Sequence, residues 1–394
     1  MKNTKGKLPV GWQSVESQKC IINKSIGKSK IHASTYLKEG KYPIIDQGAN
    51  HIAGYTKDES LVYKHEGPVI VFGDHTRIFK YIDFNFAIGA DGTKIIHPNL
   101  NVVNPQYLYF VLKSADFPDD GYSRHYKYLK FLEIPLPPTL EDQKRIANEL
   151  ERKMAEIDKM RQAALSQKEA IAAMQGAILR EVFPYKEGDK LPEGWRWVKL
   201  KKISMNIQYG ISKSSLPNKV GPKLLRITDI QEGKVDWSKV PYCQCNGDEE
   251  ENYLLEDGDM VFTRTGATTG KSFLVESPDY ALFASYLIRV QCDKTIANPN
   301  YLYSFFQSPN YWYLINQKSR GGTLAGFNAT MLSELEIPLP PTLNDQIRIA
   351  SELERKMAEI EKMRHAANNQ LEAIEALPGA ILRMAFDFEE EEAS

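Results

Sequence analysis

The sequence predicts an α+β protein: two globular, α/β-mixed domains separated by two long helices that form an antiparallel coiled coil, built as a pseudo-two-fold internal repeat. Three observations predict it. One is a gapless repeat of 51 residues, another is an apolar stripe at heptad spacing inside that repeat, and the third is a set of strand-like runs and glycine-rich turns outside it.

The repeat sets the boundaries. Residues 133–183 align on residues 336–386 with 38 identities in 51 positions. LEIPLPPTL stands at 132–140 and again at 335–343, ELERKMAEI at 149–157 and 352–360, and GAILR at 176–180 and 379–383. Weaker echoes lie upstream. Leu8-Pro9-Val10-Gly11-Trp12 matches Leu191-Pro192-Glu193-Gly194-Trp195, and Asn104-Pro105-Gln106-Tyr107 matches Asn298-Pro299-Asn300-Tyr301. The chain thus reads as a variable domain (1–132), a conserved spacer helix (133–186), a second variable domain (187–335), a second spacer helix (336–386) and an acidic tail (387–394).

Within each spacer, Thr139 is placed to cap a helix that carries Glu141 and Asp142 in its first turn. A helix of about 43 residues would span ~65 Å. One heptad position holds Leu150, Ile157, Ala164, Ile171 and Ile178, repeated by Leu353, Ile360, Ala367, Ile374 and Ile381. A second holds Ile146, Met160 and Met174, repeated by Ile349, Met363, Leu377 and Met384. So narrow a stripe calls for a helical partner rather than a globular core. Lys153 and Gln167, with their twins Lys356 and Gln370, interrupt it, which predicts buried polar groups that fix register. Pro378 replaces Gln175 and predicts a kink or break in the second helix.

In the variable domains, strand-like runs lie at 69–72, 94–96, 224–227, 260–263 and 287–290. Between them fall Gly73-Asp74-His75-Thr76-Arg77, Gly89-Ala90-Asp91-Gly92-Thr93 and Arg264-Thr265-Gly266-Ala267-Thr268-Thr269-Gly270-Lys271. Such loops present backbone N–H groups and short donors that suit phosphates and base edges; taken singly, each also reads as an ordinary hairpin turn.

Three look-alikes fall away. Residues 266–272 resemble a Walker A loop with one residue too few between the glycines. The Asn-Pro-x-Tyr words lack the second proline of an adenine-methyltransferase box, and are explained as Asn N-caps with Pro in the first turn. Cys243-Gln244-Cys245 has no second ligand pair, so no metal is expected.

Composition agrees with a globular chain: 394 residues, 42% apolar, 26% charged, with no stretch of 18 apolar residues to span a membrane. The first seven residues lack an apolar core for a signal peptide, and four scattered cysteines do not make a disulfide framework, so a cytoplasmic location is expected. The net charge of −1 hides 18 basic against 12 acidic residues in 1–132 and 6 against 13 in 336–394, so any nucleic-acid surface must be local.

The layout and its words resemble the specificity (S) subunit of Type I restriction–modification systems over essentially the whole length. The resemblance rests on the twin Ile-Pro-Leu-Pro-Pro words followed by Gln143, Arg145, Ile146 and by Gln346, Arg348, Ile349. It rests also on the Leu-Pro-x-Gly-Trp openings and on Gly258-Asp259-Met260 with Arg264-Thr265-Gly266. It implies that 1–132 and 187–335 are target-recognition domains, each binding one half of a split site in double-stranded DNA. It implies that the helices pair and dock two methyltransferase (M) subunits, with restriction (R) subunits joining through the complex. S-adenosylmethionine, Mg2+ and ATP are then expected in those partners and no cofactor or catalytic residue in this chain.

On that resemblance the expected DNA contacts are His75, Thr76, Arg77, Arg124, His125, Tyr126 and Lys127 in the first domain. In the second they are Lys213, Arg264, Thr265, Gly266, Thr268, Thr269, Arg320, Gly321, Gly322 and Thr323. The expected coiled-coil and M-subunit interface comprises Gln143, Ile146, Leu150, Lys153 and Ile157 with Gln346, Ile349, Leu353, Lys356 and Ile360. Two alternatives stand beside it. A freestanding methyltransferase or nuclease needs catalytic boxes that the sequence does not show. A purely structural coiled-coil adaptor leaves the divergence of the globular halves unexplained.

Overall fold

A computed structural model gives the fold of residues 7–24, 30–89, 91–118, 124–231, 233–318 and 327–388. The chain divides into two compact units, Met1–Leu165 with Asn369–Ser394, and Ser166–Asn368. The division passes through both long helices, so each unit holds one globular half and a segment of each helix.

In the first unit a four-stranded antiparallel sheet runs in the order Ile21–Ile22, Thr93–Pro98, Val69–Gly73, Phe79–Ile82. Its central strand is an unbroken apolar run because both faces are covered. Side chains alternate across a strand, so Ile70 and Phe72 pack with Tyr107, Leu108 and Val111 of the helix Pro105–Ser114. Val69 and Val71 pack the other way, with Ile45, Phe86 and Ile88 of a second sheet. That sheet contains a parallel pair, Tyr42–Ile45 with Phe86–Ile88.

The second unit repeats the plan. Its sheet runs Ser204–Tyr209, Leu287–Cys292, Met260–Thr263, Ser272–Leu274. Met260 and Phe262 pack with Tyr301, Leu302 and Phe306, while Val261 packs with Leu225, Phe283 and Leu287. A parallel pair recurs as Lys223–Leu225 with Ala281–Phe283. The helices Gly247–Tyr253 and Pro309–Lys318 are additions of this half.

Each globular half is fastened to the helices by the same device. Asn104 caps its helix, its side chain accepting from the Gln106 and Tyr107 N–H groups at 3.0 and 2.9 Å. The Asn104 N–H donates to Gln143 Oε1 at 2.7 Å, Gln143 Nε2 donates to the Val102 carbonyl at 3.3 Å, and Tyr107 Oη donates to the Pro135 carbonyl at 2.5 Å. In the second unit Asn298 N–H donates to Gln346 Oε1 at 2.8 Å, Gln346 Nε2 to the Ile296 carbonyl at 3.2 Å, and Tyr301 Oη to the Pro338 carbonyl at 2.5 Å. Phe386 meets Tyr107 edge-on in the first unit, with ring centroids 5.6 Å apart, and Phe183 meets Tyr301 in the second at 5.5 Å. The proline words are strands: Glu133–Leu136 pairs with Gln13–Glu16 and Glu336–Leu339 with Arg196–Lys199. A two-stranded edge tolerates the prolines.

The long helices run Leu140–Val182 and Leu343–Phe386, each capped by the threonine of its proline word (Asp142 N–H to Thr139 Oγ1 and Asp345 N–H to Thr342 Oγ1, both 3.1 Å). In the first unit Leu150 shares a core with Leu382 and Phe386. Further along the same helix, Ile157 and Ala164 cluster with Ile374, Leu371 and Leu377. In the second unit Leu179 and Phe183 share a core with Leu353, and Ile171 clusters with Ile360 and Ala367. In both, positions rise on one helix as they fall on the other.

Four expectations about the helices need correction. The second heptad row is only partly in the seam: Met160, Met174, Met363 and Met384 are exposed while Ile146, Ile349 and Leu377 are half-buried, so the seam follows the Leu150 and Leu353 rows, flanked by Met154 and Met357. Its interruptions therefore do not act as buried register pins. Gln167 and Gln370 are exposed, while Lys153 and Lys356 bind Glu149 and Glu352 of their own helices at 2.8 and 3.1 Å. The second helix continues through Pro378, so the break that residue allowed does not occur. Gln143 and Gln346, expected at the coiled-coil and M-subunit interface, are buried against the globular halves.

Candidate nucleic-acid interface

In the first unit, the strand Val69–Gly73 ends in the loop expected to touch DNA. The chain turns so tightly there that a Cβ on Gly73 would lie 2.0 Å from Thr76 Oγ1. Arg77 takes the left-handed conformation at φ 62°, uncommon for a residue that carries a Cβ. Gln47 holds this loop to its neighbour: its Oε1 accepts from the His75 N–H at 3.3 Å, its carbonyl from Thr76 Oγ1 at 2.6 Å, and its Nε2 donates to the Asp91 carbonyl at 2.9 Å.

Asp74 joins the loop to the strip at 124–127. Its carboxylate accepts from the Tyr126 N–H at 2.7 Å, and its carbonyl accepts from the His125 N–H at 2.9 Å and lies 3.0 Å from His125 Nδ1. The two strips predicted separately are therefore one structure. His125 itself is fully buried, so it positions the loop and is not placed to touch a base. Lys94 lies 5.7 Å over the Tyr126 ring. Burial, and then the charges of Lys94 and Arg124, hold the Lys30 ammonium below the ordinary lysine range. Asp91 and Asp74 act the other way on it, so this cluster is of mixed charge. An open groove of about 650 Å³ continues from Arg77 past His51, Tyr81, Tyr109 and Lys113.

In the second unit the loop after Met260–Thr263 is tied to itself. Thr263 Oγ1 donates to the Thr268 carbonyl, and Thr269 Oγ1 donates to the Gly266 carbonyl at 2.7 Å. Gly266 sits at φ 78° with nothing within 4 Å of a Cβ placed there, so only its backbone conformation calls for glycine. Tyr311 Oη, buried, donates to the Gly270 carbonyl at 2.6 Å. Thr265, Gly266 and Ala267 are exposed at the tip; Thr268 is half-buried and Thr269 buried, its hydroxyl spent inside the turn. Arg264 lies with its guanidinium 4.6 Å over the Tyr209 ring. Lys213 is engaged by Glu249 at 2.8 Å, away from this loop's bonding. Arg320, Gly321, Gly322 and Thr323 lie outside the described residues.

The sequence pattern of the Type I restriction modification DNA specificity domain matches residues 9–167 and 192–373, most of the chain. The chain belongs to the Type I restriction–modification specificity (S) subunit family. It is similar to the Type I restriction enzyme EcoKI specificity subunit of Escherichia coli (strain K12), at 24% identity over 97% of this chain and 89% of that protein. Its fold matches a chain solved in a study of complex assembly and conformational transition of the type I R-M system, with TM-score 0.76 and 21% identity over 97% of this chain and 99% of that one. It also matches the HsdS subunit from Thermoanaerobacter tengcongensis, with TM-score 0.61 and 18% identity over 97% and 98%.

Membership of this S-subunit family makes the chain a DNA-binding specificity subunit, and one without catalytic activity of its own. Among the described residues no helix is long and apolar enough to cross a membrane. The positioning residue Gln47 escaped the sequence reading because it lies far along the chain from the loop it holds and carries no motif, while Asp74 stood inside the singled-out loop without any local sign of its partners at 125 and 126. Only the recurrence of Asn-Pro-x-Tyr and of the glutamine after each proline word signalled the fastening to the helices.

Proposed function

We propose that each globular half of this specificity subunit binds one half of a bipartite DNA site, and that the paired helices set the number of unspecified base pairs between the halves. The observation that carries this is that both units repeat one strand order and one Asn–Gln–Tyr fastening, while the loops at 73–77 and 264–270 differ in sequence and in bonding. Constant support with variable tips suits two binding modules of different sequence preference. Linked modules gain affinity through effective concentration, and a rigid spacer converts helix length into half-site spacing.

The exposed methionines Met160, Met174, Met363 and Met384, on the repeated helices, support docking of M subunits there, two of them because the helix is present twice. R subunits would join through that complex, and S-adenosylmethionine, Mg2+ and ATP would act in the partners. The modest charge of the chain fits partners that supply part of the phosphate neutralisation.

A four-residue insertion between Ala164 and Ile171 tests the division of labour. At ~1.5 Å per helical residue against ~3.4 Å per base pair, the unspecified gap should widen by one or two base pairs with the half-site bases unchanged. Altered half-site bases would contradict it. A gel shift with and without the M subunits, and a methyl-transfer assay on the chain alone, would expose a freestanding enzyme or a DNA-blind adaptor.

A further inference from the structure

We propose that Tyr209 is the positioning residue for Arg264, holding its guanidinium with a free edge for a guanine in the second half-site; this rests on the reading that the second globular half contacts bases. Tyr209 ends the strand Ser204–Tyr209, and Arg264 follows the strand Met260–Thr263. The strand Leu287–Cys292 lies between them and pairs with both. Arg264 is fixed at its backbone, where its N–H donates to the Tyr286 carbonyl at 3.1 Å, and at its side chain, where Nη1 donates to the Ser285 carbonyl at 3.4 Å. The guanidinium carbon lies 4.6 Å over the Tyr209 ring centroid, and Tyr209 is itself fixed, its Oη accepting from the Ala329 N–H at 3.1 Å.

The other buried or half-buried arginines of this half are already occupied. Arg226 grips Asp229 at 2.7 Å through Nη2 and 3.0 Å through Nε, and Arg289 lies buried 3.7 Å from Asp259 with Nη1 on the Leu254 carbonyl. Among the described residues no carboxylate comes within ion-pair distance of Arg264. A guanidinium has five N–H donors in a planar fork. One bond to Ser285 leaves most of the fork unused, and a ring face fixes its plane without consuming a donor. A flat, pre-oriented fork with spare parallel donors fits the O6 and N7 acceptors of guanine. A phosphate can also take the fork in two parallel bonds, so base specificity and salt dependence decide between the two.

The test uses the complete methyltransferase assembled with this chain, and DNA carrying each of the four base pairs at every position of the second half-site. Tyr209→Leu should lower discrimination for one G·C pair by about ten- to a hundredfold. Tyr209→Phe, which keeps the ring, should retain that discrimination. Preference at the first half-site is the internal control for assembly. Arg264→Lys keeps the charge and guanine-capable donors without the planar fork, so it should weaken the same discrimination while leaving the salt dependence of binding unchanged, even if Tyr209→Leu fails to fold.

If Arg264→Ala relaxes one G·C position but Tyr209→Leu, folded, leaves it intact, the positioning role is overturned and base reading by this loop stands. If Arg264→Ala weakens all sequences alike and lowers the salt slope by about one, the arginine holds phosphate and base reading by this arginine fails. Undiminished guanine preference in Arg264→Lys would overturn the proposal outright.

Discussion

The loops at residues 73–77 and 264–270 leave corresponding strands of the same four-stranded order, yet they are held by different sets of bonds. The first is held from outside. Gln47 and the Asp74 contacts to residues 125 and 126 come from distant parts of the chain, and Arg77 sits in a left-handed conformation. The second is closed mainly by its own threonine hydroxyls, with one outside bond from Tyr311 Oη to the Gly270 carbonyl, and its arginine lies over the Tyr209 ring. The contrast teaches where divergence is tolerated. The shared sheet and its fastening carry the fold, so each loop is free to find its own bonding. Four changes would break or sharpen this comparison.

The largest effect is expected at the fastening. Phe386→Ala should destabilise the first unit by ~3–5 kcal/mol, because it empties a fully buried aromatic site beside Tyr107. Phe183→Ala should do the same to the second unit beside Tyr301. Hydrogen exchange resolved along the chain should show lost protection in the helix Pro105–Ser114 for the one and in Pro299–Phe306 for the other. Equal loss in both helices from either change would mean that the fastenings are not separate.

The buried charges differ next. In the first unit Lys80 is buried with its ammonium on the Asp46 and Asn50 carbonyls, at 2.8 and 2.5 Å. In the second, burial pushes the Asp259 carboxyl up to about 6 despite Arg289 nearby. A carboxyl raised in the folded state binds its proton more tightly than in the unfolded chain. Its contribution is therefore present below pH ~4 and lost as pH rises through 6. The second unit should lose on the order of 2 kcal/mol across that window, and Asp259→Asn should flatten the loss. Melting curves between pH 4 and 7 would check both; an unchanged slope in the variant would contradict it.

Arg77→Gly should stabilise the first unit by ~1 kcal/mol, since glycine adopts a positive φ without the Cβ penalty, while weakening DNA binding. Arg264→Gly, where no such conformation is recorded, should bring no gain. Denaturant midpoints of the two variants give the comparison directly.

Much of this was legible in the sequence, and for stated reasons. The gapless repeat marked the helices, the short apolar runs marked the central strands, and Asn-Pro-x-Tyr marked helix starts that the structure caps as expected. The helix seam was misread at its second row. Heptad spacing alone does not say which side of Leu150 turns inward, and Met160 is apolar whether it packs or not. His125 looked like a DNA contact because its neighbours are basic, yet its partner Asp74 is 51 positions away in sequence. Long-range bonds of that kind leave no local trace.

The smallest effect is expected on the helices. Lys153→Ala and Lys356→Ala each remove one exposed pair to a glutamate four residues earlier, worth ~0.3–0.5 kcal/mol. Crosslinks between positions 146 and 381 should persist in the Lys153→Ala variant. Loss of that crosslink would restore the lysine as a register element.

The central claim is that the two globular halves read DNA independently. Long-read methylation sequencing tests it in a host carrying the system with residues 187–335 replaced by the matching segment of a relative of different sequence preference. The account expects one half of the methylated motif to change and the other half to stay the same. A motif altered in both halves, or in neither, would contradict it.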